Sequence, residues 1–286
     1  MSRTVLVTDS TASLPPEVTE ARGIVVVPLQ VVIGATSYDE GVGGATPALV
    51  AEALREFRPV STSRPAPEVV RAVYEQVAAG GATEIVSVHL SGDMSGTFES
   101  AQLAARDAPV PVHTVDTRQV GIAAGFAVLA AADVLDAGGG AAEAADAARA
   151  RAAGTTSLFY VDTLEYLRRG GRIGAAAALL GGALAVKPLL TISEGRVASL
   201  EKVRTAGRAL ARLEELAVAA AGERPVDVGV AHLAADERAA QLAERLGARL
   251  VDNLEGRDIL CGEVGAVLGA HVGPGMLAVC VSPTPA

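Results

Sequence analysis

Four short stretches of this chain are apolar without alternation: TVLVT (4–8), IVVVP (24–28), EIVSVHL (84–90) and VPVHTVD (110–116). A strand that buries one face alternates apolar and polar residues. A near-continuous Val/Ile run buries both faces, which implies a parallel sheet covered by helices on each side. The segments between the runs suit that role. PEVVRAVYEQVAAG (67–80) carries Val69, Val73 and Val77 on one helical face, and a long Ala-rich segment (120–137) follows the last run.

The pattern changes past residue 136. DAGGGAAEAADAARARAAGTTS (136–157) is Ala/Gly-rich and holds a predicted helix at 141–153, then a domain boundary near 154–156. Beyond it come SLFYV (157–161), a short helix in DTLEYLRRG, and KPLLTIS (187–193) turning through Glu194-Gly195 into RVASLEKV. That turn is hairpin-like and predicts a mixed sheet. Helices at 205–221 and 236–246 flank VDVGVAHL (226–233); ARLVDN (248–253) and MLAVCVS (276–282) complete the chain's pattern. The expected fold is α/β with two domains, 1–155 and 156–286, the first a three-layer α/β/α sandwich.

A net charge of −9 argues against a nucleic-acid surface, and only two of the 24 basic residues are lysines. Cys261 and Cys280 show no metal-ligand spacing, so a reducing, cytoplasmic setting without a bound metal is expected. MSRTVLVTDS is too short in its apolar run for a signal peptide. IGAAAALLGGALAV (173–186) falls short of the roughly 20 apolar residues of a membrane span.

One strand–turn–helix junction stands out. SGDMSGT (91–97) follows EIVSVHL and precedes FESAQLAARD, a layout that makes an anion site from the free N–H groups of a helix start. It lacks the lysine of a phosphate loop and the spacing of a dinucleotide fingerprint. Nor is Ser95 framed as GxSxG, the nucleophile elbow. Ser95 or Thr97 also suits a plain N-cap. TSRPAP (62–67) reads by default as a cap, with Thr62 or Ser63 opening the helix at 67. LEYLRRGGRIG (164–174) sets Arg172 after a Gly pair, either as a helix C-terminal cation or as a guanidinium aimed at an oxyanion. Of four histidines, only His271 lies in a rigid small-residue turn, HVGPG (271–275), while His89 reads as a core residue. VTDSTASLP (7–15) ends the first strand in a polar turn, where parallel sheets place ligands, although turn chemistry explains it equally.

In this order, VTDSTASLP, TSRPAP, SGDMSGTFESA, VDTLEYLRRGGRI, AVKPLLTISEG, EKVR and HVGPG resemble the DegV family of bacterial fatty-acid-binding proteins, over residues 4 to about 282. The resemblance implies a C-terminal two-layer domain with a mixed sheet, and one long-chain fatty acid in a tunnel between the domains. It further implies that the chain is not itself an enzyme and needs no cofactor. It would be the acyl-carrying subunit of a fatty acid kinase, whose separate ATP-binding subunit phosphorylates the bound carboxylate for phospholipid synthesis.

Carried over by motif, the carboxylate-binding residues are Thr62, Ser95 with the Gly96 amide, Arg172 and His271; Lys202 and Arg204 are candidates for contact with the kinase subunit. The sequence departs from the common pattern at Arg64, at Asp93-Met94 and at Ala185. Asp93 is expected to point outward, with Arg64 offsetting its charge. The competing readings are a serine hydrolase of acyl esters using Ser95 and His271, and a lipid carrier or sensor without a kinase partner.

Overall fold

A computed structural model describes residues 3–41, 43–179 and 187–284; Ala185 lies outside them. The first half contains strands β1 (Thr4–Asp9), β2 (Val25–Val27), β3 (Gln30–Ile33), β4 (Thr36–Asp39), β5 (Val60–Ser63), β6 (Glu84–His89) and β7 (Val112–Asp116). Its helices are α1 (Pro16–Ala21), α2 (Pro47–Arg55), α3 (Pro67–Ala79), α4 (Thr97–Arg106), α5 (Ile122–Asp136) and α6 (Ala141–Gly154). The second half adds β8 (Thr156–Tyr160), α7 (Glu165–Arg169), β9 (Lys187–Ser193), β10 (Arg196–Val203), α8 (Ala206–Ala221), β11 (Val226–His232), α9 (Asp236–Arg249), α10 (Val251–Leu254), β12 (Leu260–Glu263), α11 (Ala266–Val272) and β13 (Leu277–Pro283).

The four apolar runs form one parallel sheet in the order β2-β1-β6-β7. Both faces are covered, as uninterrupted Val/Ile strands require. Val7, Val27 and Ile85 pack against Val70 and Tyr74 of α3 and Ala101 of α4. Leu6, Val86, Val88 and Val115 pack on the other side against alanines of α5 and α6. Helix α5 is apolar all round, with Ile122 to Val128 entirely buried. Residues 156 onward build a six-stranded mixed sheet, β10-β9-β8-β13-β11-β12, with α8 and α9 on one face. Glu194 and Gly195 both have positive φ and close β9 and β10 into a two-residue hairpin, the turn read from the sequence.

Three features depart from the sequence reading. A small antiparallel sheet, β4-β3-β5, lies between α1 and α3, built from four-residue strands of which β4 and β5 are polar-rich and which the sequence reading did not mark. Its core includes Ala266, Val267 and Ala270 of α11, so the far end of the chain packs back on the first half. ARLVDN belongs to the end of α9 and to α10, since Leu246, Leu250 and Leu254 keep helical spacing against the α8 core. Strand β12, LCGE, is the exposed edge of the six-stranded sheet and has no buried residue.

Two buried polar groupings tie the layers. Gln119, just before α5, donates through Nε2 to Thr155 O (3.0 Å) and Ala152 O (3.3 Å), and its Oε1 accepts from Ser157 Oγ (2.8 Å). Thr155 Oγ1 pairs with Ser282 Oγ at 2.7 Å, a satisfied, uncharged contact between the halves, which also meet where the buried Arg151 of α6 pairs with Asp227 of β11. At the end of β1, Asp9 Oδ2 pairs with His89 Nδ1 (2.9 Å) and accepts from Leu90 N (3.0 Å), while Oδ1 accepts from Thr11 N. His89 Nε2 meets Ser87 Oγ, which accepts from Tyr74 OH, both at 2.8 Å. Asp9, Ser87, His89 and Tyr74 are all buried, and burial pushes the Tyr74 phenol up to about 12.

Asp9→Ala strands a buried imidazole and two backbone N–H groups. Urea unfolding is expected to show a loss of about 3 kcal/mol, with a smaller loss for Asp9→Asn, which keeps an acceptor.

Candidate functional site

The Ser91–Gly96 loop turns tightly off the end of β6. The Ser91 carbonyl accepts from Met94 N and Ser95 N, each at 3.1 Å. Ser95 then faces the start of α4: its Oγ accepts from Thr97 N (3.3 Å) and pairs with Thr97 Oγ1 (2.9 Å), but the N-cap of α4 is Gly96, without a side-chain cap, so neither Ser95 nor Thr97 takes the capping role read from the sequence. Gly96 is packed against the Arg64 guanidinium, which occupies the space a Cβ would need.

Thr62 is not the cap of the following helix. It lies on β5, and α3 opens at Pro67 behind Ala66 with no side-chain cap. Thr62 Oγ1 instead meets His271 Nε2 at 2.8 Å, 209 residues away. His271 belongs to the last turn of α11 rather than to the glycine turn after it. The other end of α11 is held by Glu40, whose buried carboxylate accepts from Val267 N at 2.8 Å. Burial raises the Glu40 pKa, with hydrogen bonds from Ser10 and Val267 opposing the rise.

Arg172 follows α7 and the Gly170-Gly171 pair. Its Nη1 donates to Gly170 O (2.6 Å) and its Nε to Met94 O (3.1 Å), so two of its five donors are spent on backbone carbonyls. Gly170 lies against the His271 ring at Nδ1, where any Cβ would overlap it. His271 Nδ1 is buried without a partner among the described residues. An orphan lone pair is more readily tolerated than an orphan N–H, which assigns the ring proton to Nε2, donated to Thr62. The Thr62 hydroxyl hydrogen is then free for a further acceptor. Burial, reinforced by the Arg172 charge, holds the His271 pKa down to about 4, so the ring is neutral near pH 7.

Thr62, Ser95, Gly96, Arg172 and His271 all line one cavity of about 460 Å³. Away from these groups its wall is mostly apolar, with Leu90, Ile122, Phe159, Ile192, Val197 and Met276 drawn from both halves of the chain, and Ser63, Arg64 and Ser157 the polar exceptions. Hydroxyl donors, a fixed guanidinium and helix-start amides in a mostly apolar chamber suit an amphiphile with an anionic head.

A family model described as that of uncharacterised proteins of the DegV family matches residues 3–284. The chain belongs to the DegV family. A DegV domain-containing protein of Streptomyces coelicolor is 56% identical over 283 residues, covering 99% of each chain. Among solved structures, a DegV family protein of Thermus thermophilus described as binding fatty acid superposes with a TM-score of 0.91 at 33% identity, covering 99% of this chain and 100% of that one. DegV of Bacillus subtilis, described as a fatty acid binding protein, does so with a TM-score of 0.90 at 30% identity and the same coverage.

Other DegV motif positions lie apart from the cavity. Lys202, in β10, and Arg204, just after it, are exposed and do not line it. Asp9 is consumed by the buried His89 network. Asp93 points away, as expected, but Arg64 does not offset it. Arg64 pairs with Glu99 (2.6 Å) and donates to Gly96 O (3.1 Å), and Asp93 is held by Arg196 at 2.7 Å. Arg64 itself lines the cavity, a role its isolated place in TSRPAP did not signal.

The fold also gathers His232, Asp236 and Glu263, which no spacing in the sequence announced. His232 Nδ1 accepts from Ala235 N (3.4 Å), which leaves the proton of the neutral ring on Nε2, the nitrogen facing Asp236. A metal needs that lone pair, so the trio fits a cation poorly.

A folded pKa below the unfolded value means that the unfolded chain binds more protons between the two. The contribution of His271 to stability is therefore full above about 6.5 and is lost as pH falls toward about 4. Urea unfolding between pH 7 and pH 4.5 is expected to show a steeper loss for the parent protein than for His271→Gln.

Proposed function

We propose that this DegV protein binds one long-chain fatty acid in the cavity, treated as a tunnel between domains 1–155 and 156–286, and presents its carboxylate to a separate ATP-binding kinase subunit. The observation that carries the reading is that Thr62, Ser95, Gly96, Arg172 and His271, joined by the Thr62–His271 and Arg172–Met94 contacts, line one mostly apolar cavity. The fatty-acid-binding descriptions of the Thermus and Bacillus relatives support it.

Each buried methylene contributes about 0.8 kcal/mol, so a 16-carbon tail contributes roughly 12 kcal/mol before ordering costs. A desolvated carboxylate would cancel much of that without partners. With the His271 proton directed at Thr62, the Thr62 hydroxyl donates to one carboxylate oxygen; Ser95 and the Gly96 amide serve the other, and Arg172 supplies the charge. Neutral His271 acts through Thr62 rather than as a counter-ion.

In this reading the protein catalyses nothing alone, carries no cofactor and works in the cytoplasm, with Lys202 and Arg204 offered to the kinase subunit. Among the described residues no helix is long and apolar enough to cross a membrane. A serine hydrolase is disfavoured by pairing. Ser95 is engaged with Thr97, and His271 Nε2 with Thr62, whereas a nucleophile and its base bond to each other.

Solvent extraction of purified protein followed by mass spectrometry is expected to yield about one fatty acid per chain; a lipid-free protein that also fails to take up fatty acid would refute the reading. Thr62→Ala and Ser95→Ala should each weaken binding about ten-fold, the scale of one hydrogen bond to a charged group. Acyl phosphate should form only when a kinase subunit and ATP are added. Its absence with an active kinase subunit would leave a carrier or sensor instead.

A further inference from the structure

The β9–β10 hairpin lies against the Ser91–Gly96 loop. Its two arms contribute Ile192 and Val197 to the cavity wall, and its tip meets three side chains of the first half. Ser91 Oγ donates to Gly195 O at 2.7 Å. Asp93 Oδ1 accepts from Arg196 Nη2 (2.7 Å) and Nε (3.1 Å). Arg118 Nη2 stands 3.0 Å from Glu194 Oε2 and 3.8 Å from Asp93 Oδ2. Charges therefore alternate Glu194, Arg118, Asp93, Arg196 and cross twice between the hairpin and the first half of the chain. At Gly195, with φ +75°, a side chain would strain the backbone and press on Ser91 Oγ.

The ion pairs among these contacts differ in kind from the buried bonds of the junction, of which Ser91–Gly195 is one. The side chains of Glu194, Arg196 and Arg118 are 85%, 66% and 51% exposed, so water replaces their pairing at little cost. Gln119, Thr155, Ser157 and Ser282 are buried, and parting them would strand polar groups away from water. A wall held partly by buried neutral bonds and partly by exposed ion pairs yields first at the ion pairs.

We propose that the β9–β10 hairpin is an ionic clasp on the cavity, closed by the Asp93–Arg196 pair and released, for ligand to enter or leave, when that pair separates. The ligand's identity rests on the fatty-acid reading above; the clasp itself does not. Asp93 is thus a positioning residue of the carboxylate loop, and its negative charge beside an anion site is accounted for by the hairpin it holds.

The test measures release of cis-parinaric acid, a fluorescent fatty acid, by stopped-flow displacement in Asp93→Asn, Arg196→Gln and the double variant. Hydrogen exchange of amides 190–198 is followed in parallel on ligand-free protein. At low salt each single substitution is expected to speed release about five-fold, and the double variant no more than either, because both remove one interaction. NaCl should bring the parent protein toward the same rate and leave the variants nearly unchanged. Exchange at 190–198 should rise in the same three variants. Release rates within about two-fold of the parent, a salt-independent parent, or additive single effects would overturn the clasp. If cis-parinaric acid fails to bind the parent protein, the fatty-acid reading fails, and hydrogen exchange alone decides the clasp: unchanged protection at 190–198 overturns it.

Discussion

Gln119 carries the constraint on which the two halves depend. A buried primary amide must satisfy donors and an acceptor at once, and this one does so by reaching Ala152, Thr155 and Ser157 across the link between α6 and β8. With Thr155 paired to Ser282, the parallel sheet and the mixed sheet are set at one spacing. The cavity draws its lining from both halves, and its polar groups come from each. Thr62 and Ser95 arrive from one side, Arg172 and His271 from the other.

The head of the cavity is arranged so that little charge is buried. His271 is kept neutral by its surroundings and donates its one N–H to Thr62 Oγ1, while Arg172 is braced by the Gly170 and Met94 carbonyls. Bracing matters because a free guanidinium would lose rotamer entropy on meeting an anion; one already fixed loses less. The glycine pair before Arg172 has a packing reason as well as a helix-ending one, since only a residue without Cβ leaves room for the His271 ring.

The parallel sheet was legible because burial on both faces leaves an unmistakable apolar run, and the β9–β10 hairpin because Glu194-Gly195 suits its turn. The small sheet was not. QVVI, TSYD and VSTS are short, half exposed and specified by packing with α11, which lies more than 200 residues away. For the same reason Thr62 reads locally as a cap. Its partner is distant, and no local pattern encodes a 209-residue contact. His271 was singled out by its glycines, yet its orientation comes from the helix before them, anchored at Glu40. Motif resemblance gathered these residues in sequence; geometry supplies the reason they belong together.

The position of β13 has a consequence for biosynthesis. This strand pairs with β8 on one side and β11 on the other, at the centre of the six-stranded sheet. During translation β8 to β11 emerge first, with the slot between them empty and the backbone groups facing it unpaired. The parallel sheet needs nothing beyond α6 and can form early, but the second sheet cannot close until residues 277–283 leave the ribosome. The nascent chain must therefore carry an apolar, strand-sized gap from the completion of β11 until β13 emerges, the kind of surface that chaperones recognise and that invites mispairing between neighbouring chains on a polysome.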